Sequence, residues 1–175
     1  LARLKPVDPV VLALPRGGVP VGYEVASALG LPLDVLVVRK LGLPWQPALA
    51  AGAIAPGGVL VLNREVRAEI PELDSVLEPV LSQERRELAR REAAYRHGRP
   101  PLQVRDRTVI LVDDGIATGA TMEAALHATR RAKPKHLVLA TPVAPPDTLE
   151  RLRPQVDEVV CLATPRLFGA IGVFY

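Results

Sequence analysis

Aromatic residues are scarce in this sequence. One Trp, two Phe and three Tyr make up 3% of its 175 residues. A single cysteine, Cys161, excludes an internal disulfide framework and gives no cysteine metal cluster. It stands in "EVVCLA", where a buried core thiol is the expectation. No apolar run approaches the roughly 20 residues that a membrane helix needs, and no signal-peptide pattern is seen. A cytoplasmic protein without a membrane partner is therefore expected. Internal repeats are absent. Excess charge is small, +3 at neutral pH, which suits an anionic substrate without demanding nucleic acid. Arg greatly outnumbers Lys and Asn63 is the lone asparagine, a composition that hints at heat tolerance. The chain begins at Leu1, so a longer natural protein is expected.

What is present is an ordinary globular composition, 49% hydrophobic and 23% charged. A chain of this length can bury a real core, and a single domain over residues 1–175 is expected. Short apolar strands are read at 10–14, 33–38, 108–112, 136–141 and 156–162. Helices are read at 21–30, 75–97, 119–131 and 146–153, with Gly30 stopping the first. Segments 51–55 and 59–63 read as a hairpin around Pro56, Gly57 and Gly58. This alternation predicts an α/β fold, a mostly parallel sheet with helices on both faces. Ligands of such sheets bind at the carboxyl ends of the strands.

Three of those ends carry unusual residues. The most informative is "VILVDDGIATGAT", residues 109 to 121. A buried strand stops at two adjacent carboxylates, Asp113 and Asp114. The loop Ala117-Thr118-Gly119-Ala120-Thr121 then opens a helix. Its free N–H groups, the helix dipole and two hydroxyls suit a phosphate, and Gly119 lets the backbone approach it closely. The carboxylates would repel that phosphate, so they fit a neutral diol or a metal-bound group beside it. A ribose 5-phosphate meets both needs. The second end, "LPRGGVPVG", places Arg16 beside Gly17 and Gly18, a pair suited to unusual backbone angles and exposed N–H groups. The third, "VVRKLGLPWQP", sends Arg39 and Lys40 from a buried strand into a loop that carries Trp45. That loop could close over a substrate.

The first motif resembles the signature of the type I phosphoribosyltransferases: an apolar strand, two acidic residues and a loop ending T-G-x-T. The resemblance extends over about residues 10–163 and is specific at 109–121. It implies that Ala117 to Thr121 hold the 5-phosphate of phosphoribosyl pyrophosphate and that Asp113 and Asp114 hold the ribose hydroxyls. It places pyrophosphate at Arg16, Gly17 and Gly18, and the similarity of "RK" to adenine-type members suggests further pyrophosphate contact at Arg39 and Lys40. Magnesium is implied as cofactor, carried mainly by the substrate, with Asp113 or Asp114 as candidate ligands. The reaction implied is transfer of the 5-phosphoribosyl group to a nitrogen base or amine, with release of pyrophosphate.

Two departures from the family pattern stand out. Ala117 occupies the place where members acting on 6-oxopurines carry Asp. A helical insertion spans about 64–100; in it Leu77, Val80, Leu81, Leu88 and Ala89 make an apolar stripe, while Arg85, Arg86, Arg90 and Arg91 alternate with glutamates. Interleaved charges and few aromatics argue against a nucleic-acid partner for this helix. The pattern is closest to bacterial phosphoribosyltransferases of undefined acceptor. The tail 164–175, with Phe168, Phe174 and Tyr175, is expected to form a small hood whose rings could stack on a flat acceptor. His97, His127 and His136 show no ligand spacing. A non-catalytic phosphoribosyl-pyrophosphate-binding regulator of the same fold is the alternative. A dinucleotide-binding domain is disfavoured because "PRGGVPVG" lacks the G-x-G-x-x-G spacing. Homo-oligomerisation is left open.

Overall fold

The computed structural model describes residues 8–165 and 171–173. Five strands, β1 (Val10–Ala13), β2 (Leu33–Val35), β6 (Thr108–Val112), β7 (His136–Val143) and β8 (Glu158–Ala163), form one parallel sheet in the order β2-β1-β6-β7-β8. A second sheet is antiparallel and holds β3 (Arg39–Leu43), β4 (Gln46–Ala55) and β5 (Val59–Leu62). The two sheets are built differently.

β1 and β6 are buried at every position, because alternate side chains feed cores on opposite faces. Val10, Leu12, Val109 and Leu111 point to one face. There they meet Met122, Ala125 and Leu126 of α4 (Ala120–Arg131) and Leu149 and Leu152 of α5 (Pro146–Leu152). Val11, Ile110 and Val112 point to the other face, against Ala26 of α1 (Gly18–Leu29). Helix α1 starts three residues before the expected 21, with Pro20 in its first turn, where the missing N–H is harmless. Gly30 ends it in the left-handed conformation, as expected.

The antiparallel sheet packs through Leu41, Leu43, Ala51 and Ile54 against α2 (Arg64–Glu69) and the long α3 (Leu73–Arg96). Leu77, Leu81 and Leu88 of the expected stripe are buried there and Val80 is half-buried, but Ala89 is exposed. Leu73, one turn earlier than the expected stripe, is fully buried. Two ion pairs anchor α3: Arg39 Nε to Glu84 Oε2 at 2.6 Å, and Arg96 to Asp34 Oδ2 at 2.7 Å. Burial would raise the Asp34 carboxyl. The Leu102 N–H, the Arg96 guanidinium and the Val35 N–H outweigh it and hold Asp34 below its usual range.

The segment expected as a substrate-covering loop is the β3–β4 hairpin. Trp45 sits at its turn and is 63% exposed. In the tail, Ile171–Val173 make one 3-10 turn. Phe168, Phe174 and Tyr175 lie outside the described residues, so the aromatic hood lies outside them too. Cys161 is half-buried against the core, and burial pushes its thiol up. No helix among the described residues is long and apolar enough to cross a membrane.

Candidate functional site

The carboxyl ends of β1 and β6 lie side by side because the strands pair in register, with Ala13 opposite Val112. The strand order reverses at this point: the chain runs from β1 to β2 on one side and returns as β6 on the other. The loops leaving the two strands therefore run to opposite faces, and a cleft opens between them.

Asp113 and Asp114 stand at that cleft. The Asp113 N–H donates to Ala140 O at 3.3 Å, and Asp113 Oδ1 accepts from the Asp114 N–H at 2.9 Å. Burial pushes the Asp113 carboxyl up to about 8, and the neighbouring Asp114 carboxyl adds to the effect. Asp113 therefore holds its proton near neutrality.

The turn after β1 presses on the pair from the other side. A Cβ on Gly17 would collide with the Asp114 carboxylate. One on Gly18 would sit 2.8 Å from Val112 O and 3.0 Å from Asp113 Cα. Glycine is needed here for close approach, not for the unusual angles expected from sequence. Gly17 has φ −61° and ψ −36° and caps α1, and the Gly18 N–H is already bonded to Leu14 O at 3.0 Å. Arg16 is exposed in the same turn.

The loop 117–121 departs one residue after Ile116, whose N–H is tied to Val143 O at 3.0 Å. Gly119 caps α4 with φ 80°, a left-handed conformation that disfavours other residues. Behind the loop, Thr148 Oγ1 donates to Ala117 O at 2.9 Å, and Arg151 donates to Thr118 O. Neither α5 residue was legible as a site residue, since "PDTLERL" reads as an ordinary amphipathic turn of helix. Thr118 and Thr121 are exposed at the mouth of the helix, whose first N–H groups lack intrahelical partners.

A crevice of about 850 Å³ opens beside this loop, between it, β4–β5 and α5. Lys40, Arg64 and Arg151 line it together with Glu65, Glu123 and Asp147, and no aromatic ring does so among the described residues. Ala117, Thr118 and Ala120 border it, whereas Asp113, Asp114 and Arg16 do not. The structure thus brings together Arg16, Gly17, Gly18, Asp113 and Asp114 at the cleft, with Ala117 to Thr121 following at the head of α4. Lys40 reaches the crevice. Arg39 is engaged by Glu84 on α3.

The histidines stand apart. His97 caps α3 and His127 is exposed on α4. His136 begins β7, at the amino end of the sheet, with Asp157 and Glu158 each 4.0 Å away. Among the described residues no three His, Cys, Asp or Glu side chains are grouped to hold a metal ion.

A glycine-capped helix mouth thus follows an acid pair at the switch point of a parallel sheet. The chain belongs to the phosphoribosyl transferase domain family, which matches residues 3–171. The "Putative phosphoribosyl transferase Rv0571c" of Mycobacterium tuberculosis is 49% identical over 175 residues, covering 100% of this chain and 40% of that protein. The chain thus spans about 40% of the length of the curated relatives it matches. TT1426 from Thermus thermophilus shares 46% of residues at a TM-score of 0.82, over 100% of this chain and 83% of its own. An adenine phosphoribosyl transferase from Trypanosoma brucei, solved with AMP, pyrophosphate and ribose-5-phosphate, is 13% identical at a TM-score of 0.50, over 91% of this chain and 58% of its own. That last likeness is one of fold alone. The architecture is the type I phosphoribosyltransferase fold.

Proposed function

We propose that this domain binds phosphoribosyl pyrophosphate and transfers its 5-phosphoribosyl group to a nitrogen nucleophile, releasing pyrophosphate. The observation that carries the reading is the placement of Asp113 and Asp114 at the β1/β6 switch point, between the Gly17–Gly18 turn and the Gly119-capped helix. The 5-phosphate sits on the 117–121 loop, where N–H donors and the helix dipole favour an anion. The ribose hydroxyls donate to the acid pair. Pyrophosphate lies toward Arg16 and the glycine turn, with Lys40 as a further cation.

The donor set suits Mg²⁺, a hard cation that prefers oxygen ligands such as these carboxylates. Asp113 or Asp114 would hold it together with substrate oxygens, since no third protein carboxylate is grouped with them among the described residues. Bound there, the ion supplies charge neutralisation for the departing pyrophosphate. The remaining work belongs to the chain. Positive charge grows on the ribose ring as the C1–oxygen bond breaks, as in glycoside chemistry, and the acid pair below it is the opposite charge. The loop and the glycine turn fix the two ends of the donor so that the nucleophile meets C1 in line.

Ala117 bears on the acceptor. No carboxylate is available at that position for a 6-oxopurine, and a base edge left without its partner loses roughly 10- to 100-fold in discrimination. Hypoxanthine and guanine are therefore expected to be poor acceptors, with adenine, another nitrogen base or an amine preferred. The test is calorimetry with phosphoribosyl pyrophosphate, with and without Mg²⁺, followed by pyrophosphate release with a panel of bases and amines. Magnesium-dependent binding and turnover of at least one acceptor support the reading. Binding without release from any acceptor favours a non-catalytic sensor, and no binding at millimolar ligand overturns both.

A further inference from the structure

Loops that bind phosphate must point their N–H groups inward, and something must decide that direction. A trans peptide is planar, with its C=O and N–H on opposite sides. Tying down one carbonyl therefore aims the next residue's N–H the other way. In the 117–121 loop two successive carbonyls are tied, and both anchors come from α5. Thr148 Oγ1 donates to Ala117 O at 2.9 Å, which aims the Thr118 N–H away from α5. Arg151 donates to Thr118 O, which aims the Gly119 N–H the same way.

The contact is also close. A Cβ placed on Gly119 would lie 2.9 Å from both Arg151 Nη2 and Thr148 Cγ2, so α5 touches the loop with no room for a side chain between them. Thr148 is buried, 6% exposed, and cannot swing to solvent at little cost. A guanidinium on the Thr118 carbonyl also polarises that peptide and strengthens the Gly119 N–H as a donor. The interaction is long-range in sequence, about 30 residues, so it couples the loop to a separate element of the fold.

We infer that Thr148 and Arg151 are positioning residues for phosphate recognition: they aim the Thr118 and Gly119 N–H groups at the anion without touching it. This rests on the reading above, in which 117–121 receives the 5-phosphate.

The test uses Thr148→Val, which keeps the shape and removes the hydroxyl, Thr148→Ser, which restores it, and Arg151→Met. Ribose 5-phosphate and phosphoribosyl pyrophosphate with Mg²⁺ are titrated calorimetrically, and the Thr118 and Gly119 amide signals are followed by NMR with and without ribose 5-phosphate. Thr148→Val should weaken ribose 5-phosphate binding roughly 5- to 10-fold and Arg151→Met roughly 10- to 100-fold, the range for neutral and charge-assisted bonds. Thr148→Ser should stay within about twofold of the parent, because it keeps the same donor. The Thr118 and Gly119 amide shifts should move in the two weakened variants before any ligand is added. Where an acceptor is turned over, KM for the donor should rise more than kcat falls. A parent protein that binds ribose 5-phosphate, with Thr148→Val and Arg151→Met binding equally well and amide signals unmoved, overturns this inference alone. A parent that binds neither ligand takes down the functional reading, and this inference with it.

Discussion

The two sheets of this molecule divide the labour. The central strands of the parallel sheet are apolar on both faces and leave the candidate site residues to their carboxyl ends, where β1 runs into Arg16-Gly17-Gly18 and β6 into Asp113-Asp114. In the antiparallel sheet, β4 is rich in small residues (Ala50, Ala51, Gly52, Ala53 and Ala55), and the sheet contacts both α3 and α4. It provides one wall of the crevice and a platform for the helical insertion. The central strands β1 and β6 of the parallel sheet, buried at every position, have only their ends left for polar residues, whereas β3 carries Arg39 and Lys40 along its length.

That contrast can be broken first in the cores. Leu111→Ala in β6 and Leu41→Ala in β3 should each cost about 2–5 kcal/mol, since both side chains are fully buried. Denaturant melts measure this. The folded fraction of Leu41→Ala should bind ribose 5-phosphate like the parent, whereas Leu111→Ala, two residues before Asp113, should not. Equal affinity losses in both would erase the distinction between the sheets.

The cleft itself comes next. Gly17→Ala drives a methyl into the Asp114 carboxylate and should weaken phosphoribosyl-pyrophosphate binding by roughly 100-fold, the scale for displacing a positioned group by about an ångström. Gly58→Ala, at the β4–β5 turn, meets nothing within 4 Å but has φ 73°, so it should cost stability and leave binding alone. Calorimetry on both variants compares the two.

A smaller effect concerns pH. Asp113 binds its proton more tightly folded than unfolded, because burial raises it to about 8 from an ordinary carboxyl near 4. The folded state therefore holds an extra proton between those values, and stability falls as pH rises through about 8. Asp113→Asn cannot ionise, so relative to the parent it should gain roughly 5–10 °C in melting temperature between pH 6 and pH 9, from about 2–3 kcal/mol at about 2–4 °C per kcal/mol for a chain this size. A relative loss over that interval would mean the carboxyl is not raised.

Smallest of all, Trp45→Ser at the exposed hairpin turn should change stability by no more than about 0.5 kcal/mol. Its effect on donor binding is the sharper readout. A large loss there would add the hairpin turn to Lys40 as a part of the antiparallel sheet that contributes to donor binding.

Much of the parallel sheet was legible because its signals are local. Val10–Ala13 and Thr108–Val112 are short apolar runs bounded by turn residues, and two acids at the end of such a run have few structural uses. The antiparallel sheet was half legible. β5 and the end of β4 read as a hairpin, but "RKLGL" reads as loop, because two charges and a glycine give no strand period. Arg39 shows why: its charge is answered by Glu84, 45 residues away, which no local pattern reveals. Ala89 failed for a related reason, since the α3 stripe turns its buried edge toward Leu73 and leaves Ala89 to solvent.

By itself the sequence determined the alternation of elements, the acid pair at a strand exit and the glycine-capped helix mouth that follows it, because hydrophobic period, capping and adjacent charges act over a few residues. Only the tertiary structure decided that Gly17 must be glycine for the sake of Asp114, that Arg39 answers α3 while Lys40 faces the crevice, and that Thr148 and Arg151 stand behind the 117–121 loop. Those depend on which residues distant along the chain are brought within a few ångströms, and close packing, not local preference, makes that choice.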